Sequence, residues 1–222
     1  MSDSLSRMIF LGTIFLSATF AQADDTDLER MLKSIENRMG DDAARQRAIE
    51  DGEERAVLCQ YCHGSDGNSL KPDVPNLAGQ NAKYLLDQID KFASGQRDDY
   101  VMNQLAANFS PEDKVNVAIF YYSQPVKPQA VDAGKALEGE ALYQSVCRNC
   151  HGIEGRGNHR LARLAGQKVN YVTKVLQDFR ANANNPAARN NAHRKSEIME
   201  GVAKSLSDEQ IAAVAAYVGQ LP

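Results

Sequence analysis

One five-residue pattern occurs twice in the chain, as Cys59-Gln60-Tyr61-Cys62-His63 and as Cys147-Arg148-Asn149-Cys150-His151, and these hold the only four cysteines among 222 residues. Two intervening residues set the sulfurs about one helical turn apart, and a His directly after the second Cys brings an imidazole to the face those sulfurs define. This is the attachment pattern of c-type haem, in which the thiols add across porphyrin vinyl groups and the imidazole ligates the iron. Disulfides would not require a His after each second Cys, nor would a thioredoxin-like pair occur twice with it. A zinc site of four thiolates would leave both histidines unexplained. The pattern predicts two covalently bound haem c groups, attached through Cys59, Cys62, Cys147 and Cys150, with His63 and His151 as iron ligands.

The repetition extends past the cysteines. Leu77-Ala78-Gly79-Gln80 returns as Leu164-Ala165-Gly166-Gln167, Tyr84 as Tyr171 and Phe92 as Phe179, all at an offset of 87. Helical apolar stripes lie between them, and glycine-rich turns follow both histidines, where backbone can approach a flat macrocycle. The offset grows to 97 across a segment from Ala181 to Arg194, rich in Asn and Ala, which is expected to form a surface loop. Matching Ser caps at Ser110 and Ser207 then open the last helix of each half. The expected fold is all-α, two tandem haem domains related by duplication.

Before the repeat, Arg7, an apolar run from Met8 to Phe20 and Ala21-Gln22-Ala23 have the form of an export signal, so residues 1–23 are expected to be a signal peptide and the compartment the periplasm. Residues 24–47 form a helical extension, with one apolar face on Leu28, Met31, Leu32, Ile35 and Met39, a capping box at Thr26 and Glu29, and a stop at Gly40. A helix starting near Asp41 or Asp42 is expected to run into Cys59, with Ala133 to Val146 as its counterpart. The first haem domain then covers 48–124, a proline-bearing linker 125–131, and the second haem domain 132–222. Charge is uneven. Residues 24–128 hold 12 Lys and Arg against 19 Asp and Glu, whereas residues 129–222 hold 12 against 9. Such asymmetry can orient an encounter with a protein partner, and nothing in it suggests nucleic acid.

Iron held by one His needs a sixth ligand or keeps an open site, and that choice separates electron carriers from peroxide chemistry. Of six methionines, only Met102 and Met199 follow a haem motif, one per half, each before the final helix. A thioether is a soft ligand that raises the reduction potential and closes the iron to substrates. Both are therefore expected as axial ligands, and the remaining imidazoles, His159 and His193, as surface residues.

Over residues 50–222 the chain resembles the two-haem class I cytochromes of the cytochrome c4 family, on its C-x-x-C-H-G segments, Pro75-Asn76-Leu77-Ala78-Gly79-Gln80, Met102 ahead of Ser110-Pro111-Glu112-Asp113, and Ile198-Met199-Glu200-Gly201-Val202-Ala203. The resemblance implies two cytochrome c-like domains about a pseudo-twofold axis, haems close enough for internal electron transfer, axial pairs His63 with Met102 and His151 with Met199, and no enzymatic reaction. It implies an electron carrier whose partners are a membrane oxidase, reductase or dehydrogenase, with peripheral membrane association. The same resemblance implies that the Pro75 carbonyl supports His63. The second half has Ala162-Arg163-Leu164 and no proline there. Alternative readings are a dihaem subunit of a periplasmic dehydrogenase complex and a two-haem peroxidase.

Overall fold

Eleven α-helices and no strands make up residues 26–185 and 194–222, the residues described by the computed structural model. The expected export signal over residues 1–23 and His193 lie outside them. The first helix, α1 (Asp27–Met39), begins at the expected capping box, in which Thr26 Oγ1 accepts from the Glu29 amide and the Glu29 carboxylate accepts from the Thr26 amide. Its apolar stripe lies against the first half of the repeat, burying Met31 and Ile35 in one cluster with Val117, Phe120 and Tyr121. Arg38 donates to Asn116 and Glu112, and Lys83 pairs with Glu36, so polar contacts pin both sides of the stripe.

Each half is framed by a pair of crossing helices, α2 (Asp42–Arg55) with α6 (Pro111–Ser123), and α7 (Ala133–Leu142) with α11 (Asp208–Gln220). The crossings are close because a glycine sits at each. A Cβ on Gly52 would run into the Asn116 carbonyl and Phe120, and one on Gly139 into the Ala213 carbonyl. Between these frames lie α4 (Ala82–Ala93) and α5 (Tyr100–Ala107) in the first half, and α9 (Val169–Asn184) and α10 (Glu197–Ala203) in the second.

Three local expectations need correction. The helix expected to run unbroken into Cys59 breaks at the fully buried Ala56, whose carbonyl accepts from the Cys59 amide in a tightened turn, and a separate helix, α3 (Val57–His63), carries the motif. The second half instead widens, through a π-helical turn (Tyr143–Cys147) into α8 (Arg148–His151). The segment from Ala181 starts as the last turn of α9 rather than as a loop, and the buried Asn182 donates to the Arg194 carbonyl.

The linker is an internal strut. Val126 lies between Gly79 and Gly166, with one methyl group where each glycine would carry a Cβ, and both glycines have positive φ (63° and 72°). Asn68 holds this strut by donating to the Pro125 carbonyl and accepting from the Lys127 amide.

Because α1 is part of the first core, Ile35→Ala should cost about 2–5 kcal/mol. Hydrogen exchange checks this. Amides of α4 and α6 should exchange faster while those of α11 do not change; unchanged protection in α6 would mean that α1 is a detachable arm.

Candidate haem sites

Both motif histidines are buried, and each ring is aimed by one backbone carbonyl. His63 Nδ1 donates to Pro75 O at 2.8 Å and His151 Nδ1 to Ala162 O at 2.9 Å. A carbonyl only accepts, so Nδ1 carries the proton and Nε2 remains the ligating nitrogen. The second half therefore manages without proline, since the support is a carbonyl and not a ring. Burial lowers the pKa of both histidines, which keeps the imidazoles neutral as iron ligation requires.

The two methionines also have equivalent supports. Met102 and Met199 occupy the third position of α5 and α10, and their amides donate to the helix caps, Asp99 Oδ1 at 2.9 Å and Ser196 Oγ at 3.3 Å. The caps are themselves 97 residues apart, like the methionines. One cavity of about 1010 Å³ is lined by Cys59, Cys62, His63 and Met102 and, continuous with them, by Cys147, Cys150, His151 and Met199. Every residue expected at the two sites lies on its wall. Burial pushes the Cys59 thiol up, and the Cys147 thiol up to about 11, the opposite of a reactive thiolate pair. Among the described residues, no three His, Cys, Asp or Glu side chains gather into a metal cluster, so the four-thiolate zinc alternative has no geometry behind it. His159 is exposed, as expected.

Two sets of residues at this cavity went unassigned in the sequence. The first is a pair of glutamines bonded reciprocally across the halves. Gln80 donates to the Arg163 carbonyl and accepts from the Arg163 amide, at 3.0 and 2.7 Å. Gln167 does the same to Asn76, at 2.9 and 2.7 Å. Asn76 and Arg163 are counterparts at the offset of 87, so the contact is isologous. The second set is Arg97 and Arg194, which share the methionine offset. Each guanidinium lies over the equivalent ring, Phe92 or Phe179. Arg97 donates to Tyr171 Oη and to Gln88, and Arg194 to the Tyr84 and Tyr171 hydroxyls, so neutral groups rather than carboxylates satisfy them. Burial works to raise the Tyr171 pKa, but Arg194 and Arg97 outweigh it and pull the phenol down. Two cations on a cavity wall suit an anionic substituent, and haem carries two carboxylates. With aimed imidazoles, thioethers and free thiols, the lining fits two haem groups.

A family model for cytochrome c matches residues 136–222. Cytochrome c4 of Pseudomonas aeruginosa is 34% identical over 177 residues, covering 75% of this chain and 85% of that protein. The crystal structure of reduced recombinant cytochrome c4 from Pseudomonas stutzeri is similar with a TM-score of 0.70 at 30% identity, over 78% of this chain and 98% of that one. A structure of thiosulfate dehydrogenase from Marichromatium purpuratum has a TM-score of 0.64 at 28% identity, over 78% of this chain but 40% of that one.

Gln167→Ala should strand the buried amide and carbonyl of Asn76, at about 1–3 kcal/mol for each group. Gln80→Ala should cost less, because the Arg163 amide and carbonyl that it leaves are only half-buried. Denaturant unfolding followed separately in the two halves should then lose its coupling in either variant; retained coupling would show that the clamps do not join the halves.

Proposed function

The chain belongs to the cytochrome c4 family of dihaem electron carriers, and on that premise we propose that it is a periplasmic shuttle whose two haems are ligated by His63 with Met102 and by His151 with Met199. The observation that carries this reading is the matched support of both ligand pairs, carbonyl to imidazole and cap to methionine, on one cavity wall. It is an electron carrier rather than an enzyme. When bound, each haem supplies a one-electron iron couple.

The protein's own residues do the rest. His63 and His151 present Nε2 because their Nδ1 protons are committed. Met102 and Met199 would each supply a thioether sulfur, a soft ligand that favours ferrous iron. Arg97 and Arg194, with Tyr84 and Tyr171, would hold the carboxylates between the halves. The same reading divides the chain into a signal over 1–23, an extension over 24–47, haem domains over 48–124 and 132–222, and the linker between them. Export rests on the charged, apolar and small-residue succession of the first 23 positions. No helix of the described residues is long and apolar enough to cross a membrane. A membrane oxidase, reductase or dehydrogenase is the fitting class of partner.

A second reading, a dihaem subunit of a dehydrogenase complex, draws on the likeness to thiosulfate dehydrogenase, in which the matched part is less than half of that chain. Native mass of the protein from its own cells separates the two: a lone chain supports the shuttle, a stable complex the subunit.

Met102→Ala and Met199→Ala should each remove the methionine-to-iron charge-transfer band of one haem. Each should lower that haem's midpoint potential by on the order of 0.1 V, since axial ligands set haem potentials over a range of about 0.8 V. Spectra recorded during a redox titration check both effects, and unchanged potentials would remove methionine from the ligand set.

A further inference from the structure

The two halves bring a tyrosine to the same place by different routes. Gly67 and Gly155 are counterparts, 88 residues apart like the cysteines. The ring beside Gly67 is Tyr121, from α6, whereas the side chain beside Gly155 is Tyr143, from the π-helical turn before the second motif. Each belongs to the cluster on which the first cysteine of its motif packs, Cys59 with Tyr121 and Cys147 with Tyr143. Both rings are fully buried, at 1% and 0% exposure.

Their hydroxyls differ. Tyr143 donates to the Gly152 carbonyl at 2.6 Å, next to His151, and is satisfied. Among the described residues Tyr121 has the one buried side-chain oxygen or nitrogen without a hydrogen-bond partner. Tyr121 lines the haem cavity together with Cys59. Burial, and after it the neighbouring Cys59 thiol, hold the Tyr121 phenol far above its ordinary range, so the group keeps its proton and remains a donor. A buried donor that meets no acceptor in full hydrogen-bonding geometry is an uncommon and costly arrangement, and the group beside it is the Cys59 sulfur, which points to that sulfur as its acceptor.

We propose that Tyr121 donates its hydroxyl hydrogen to the Cys59 sulfur when that sulfur is the thioether of the first haem, giving the first haem a hydrogen bond that the second lacks. Tyr121 is thereby a positioning residue that sets the two centres apart. Hydrogen bonding near the macrocycle is one of the levers by which a protein tunes a haem, and drawing density from the thioether favours the ferrous state. The hydroxyl of Tyr143 cannot do the same, because the Gly152 carbonyl already takes its proton. The inference rests on attachment of the first haem at Cys59.

The test uses holoprotein of wild type, Tyr121→Phe and Tyr143→Phe, with each haem's midpoint potential followed through its own NMR methyl resonances. Tyr121→Phe should lower the first haem's potential and leave the second where it was. Tyr143→Phe should leave both potentials and lower the denaturant midpoint. A Tyr121→Phe variant with both potentials unmoved, or shifted equally, overturns the proposal. Should that variant not accumulate, the wild-type Tyr121 hydroxyl proton decides: slow exchange and a cross-peak to the first haem's thioether bridge support the bond, and their absence overturns it. A digest of the same samples identifies the haem-bearing peptide. Haem absent from Cys59 overturns the attachment reading and the proposal with it, whereas haem present with potentials unmoved overturns the proposal alone.

Discussion

Everything at the two sites depends on a short step of backbone that faces two ways. In the first half the carbonyl of Pro75 fixes the ring of His63, and the next residue, Asn76, gives its amide and carbonyl to Gln167 of the other half. In the second half the carbonyl of Ala162 fixes His151, and Arg163 is held by Gln80 in the same manner. Each proximal imidazole is thus supported by a backbone segment that is itself clamped from across the interface. Neither site has its ligand geometry to itself. The linker adds to this, since Val126 fits only because Gly79 and Gly166 lack a Cβ.

Around that symmetric frame the halves have diverged where symmetry is not required. Only the first carries α1, which closes over α4 and α6 and completes a larger core. The position beside the first cysteine is filled by a tyrosine from the last helix in one half and from the helical segment preceding the motif in the other. Such exchanges keep volume and burial while altering which polar group faces the cofactor. They are the kind of change by which a duplicated fold can hold two unlike centres, because close packing is preserved while the local hydrogen bonding is not.

How much of this was legible in the chain follows from the same physics. The C-x-x-C-H runs could be read because covalent attachment fixes both residue type and spacing, leaving little freedom to either copy, and the two methionines stood out by their matched placement before the last helix of each half. The expected α1, with its capping box, apolar face and stop at Gly40, was also legible, since it is decided by local chemistry. The roles of Gln80 and Gln167 were not. Their repetition was visible, but the partner of each lies 83 or 91 residues away on the opposite half. Arg194 was hidden for another reason: it closes an insertion that read as a surface loop, while its side chain reaches Tyr84, 110 residues earlier. The break at Ala56 and the π-helical turn at Tyr143 escaped because helix propensity there is overruled by the need to seat a buried residue.

The choice of neutral amides for the clamps bears on what the molecule does. One-electron transfer changes the charge at an iron by one unit, and an ion pair nearby would strengthen or weaken with every turnover in proportion to that charge. A carboxamide bonded to backbone amide and carbonyl carries no net charge, so its geometry is far less sensitive to which iron holds the electron. Arg97 and Arg194 are braced on phenyl rings and phenols rather than on carboxylates. An interface clamped in this way puts no net charge from the clamping side chains beside the supports of the imidazoles, so a one-unit change at either iron would act on them only through dipoles.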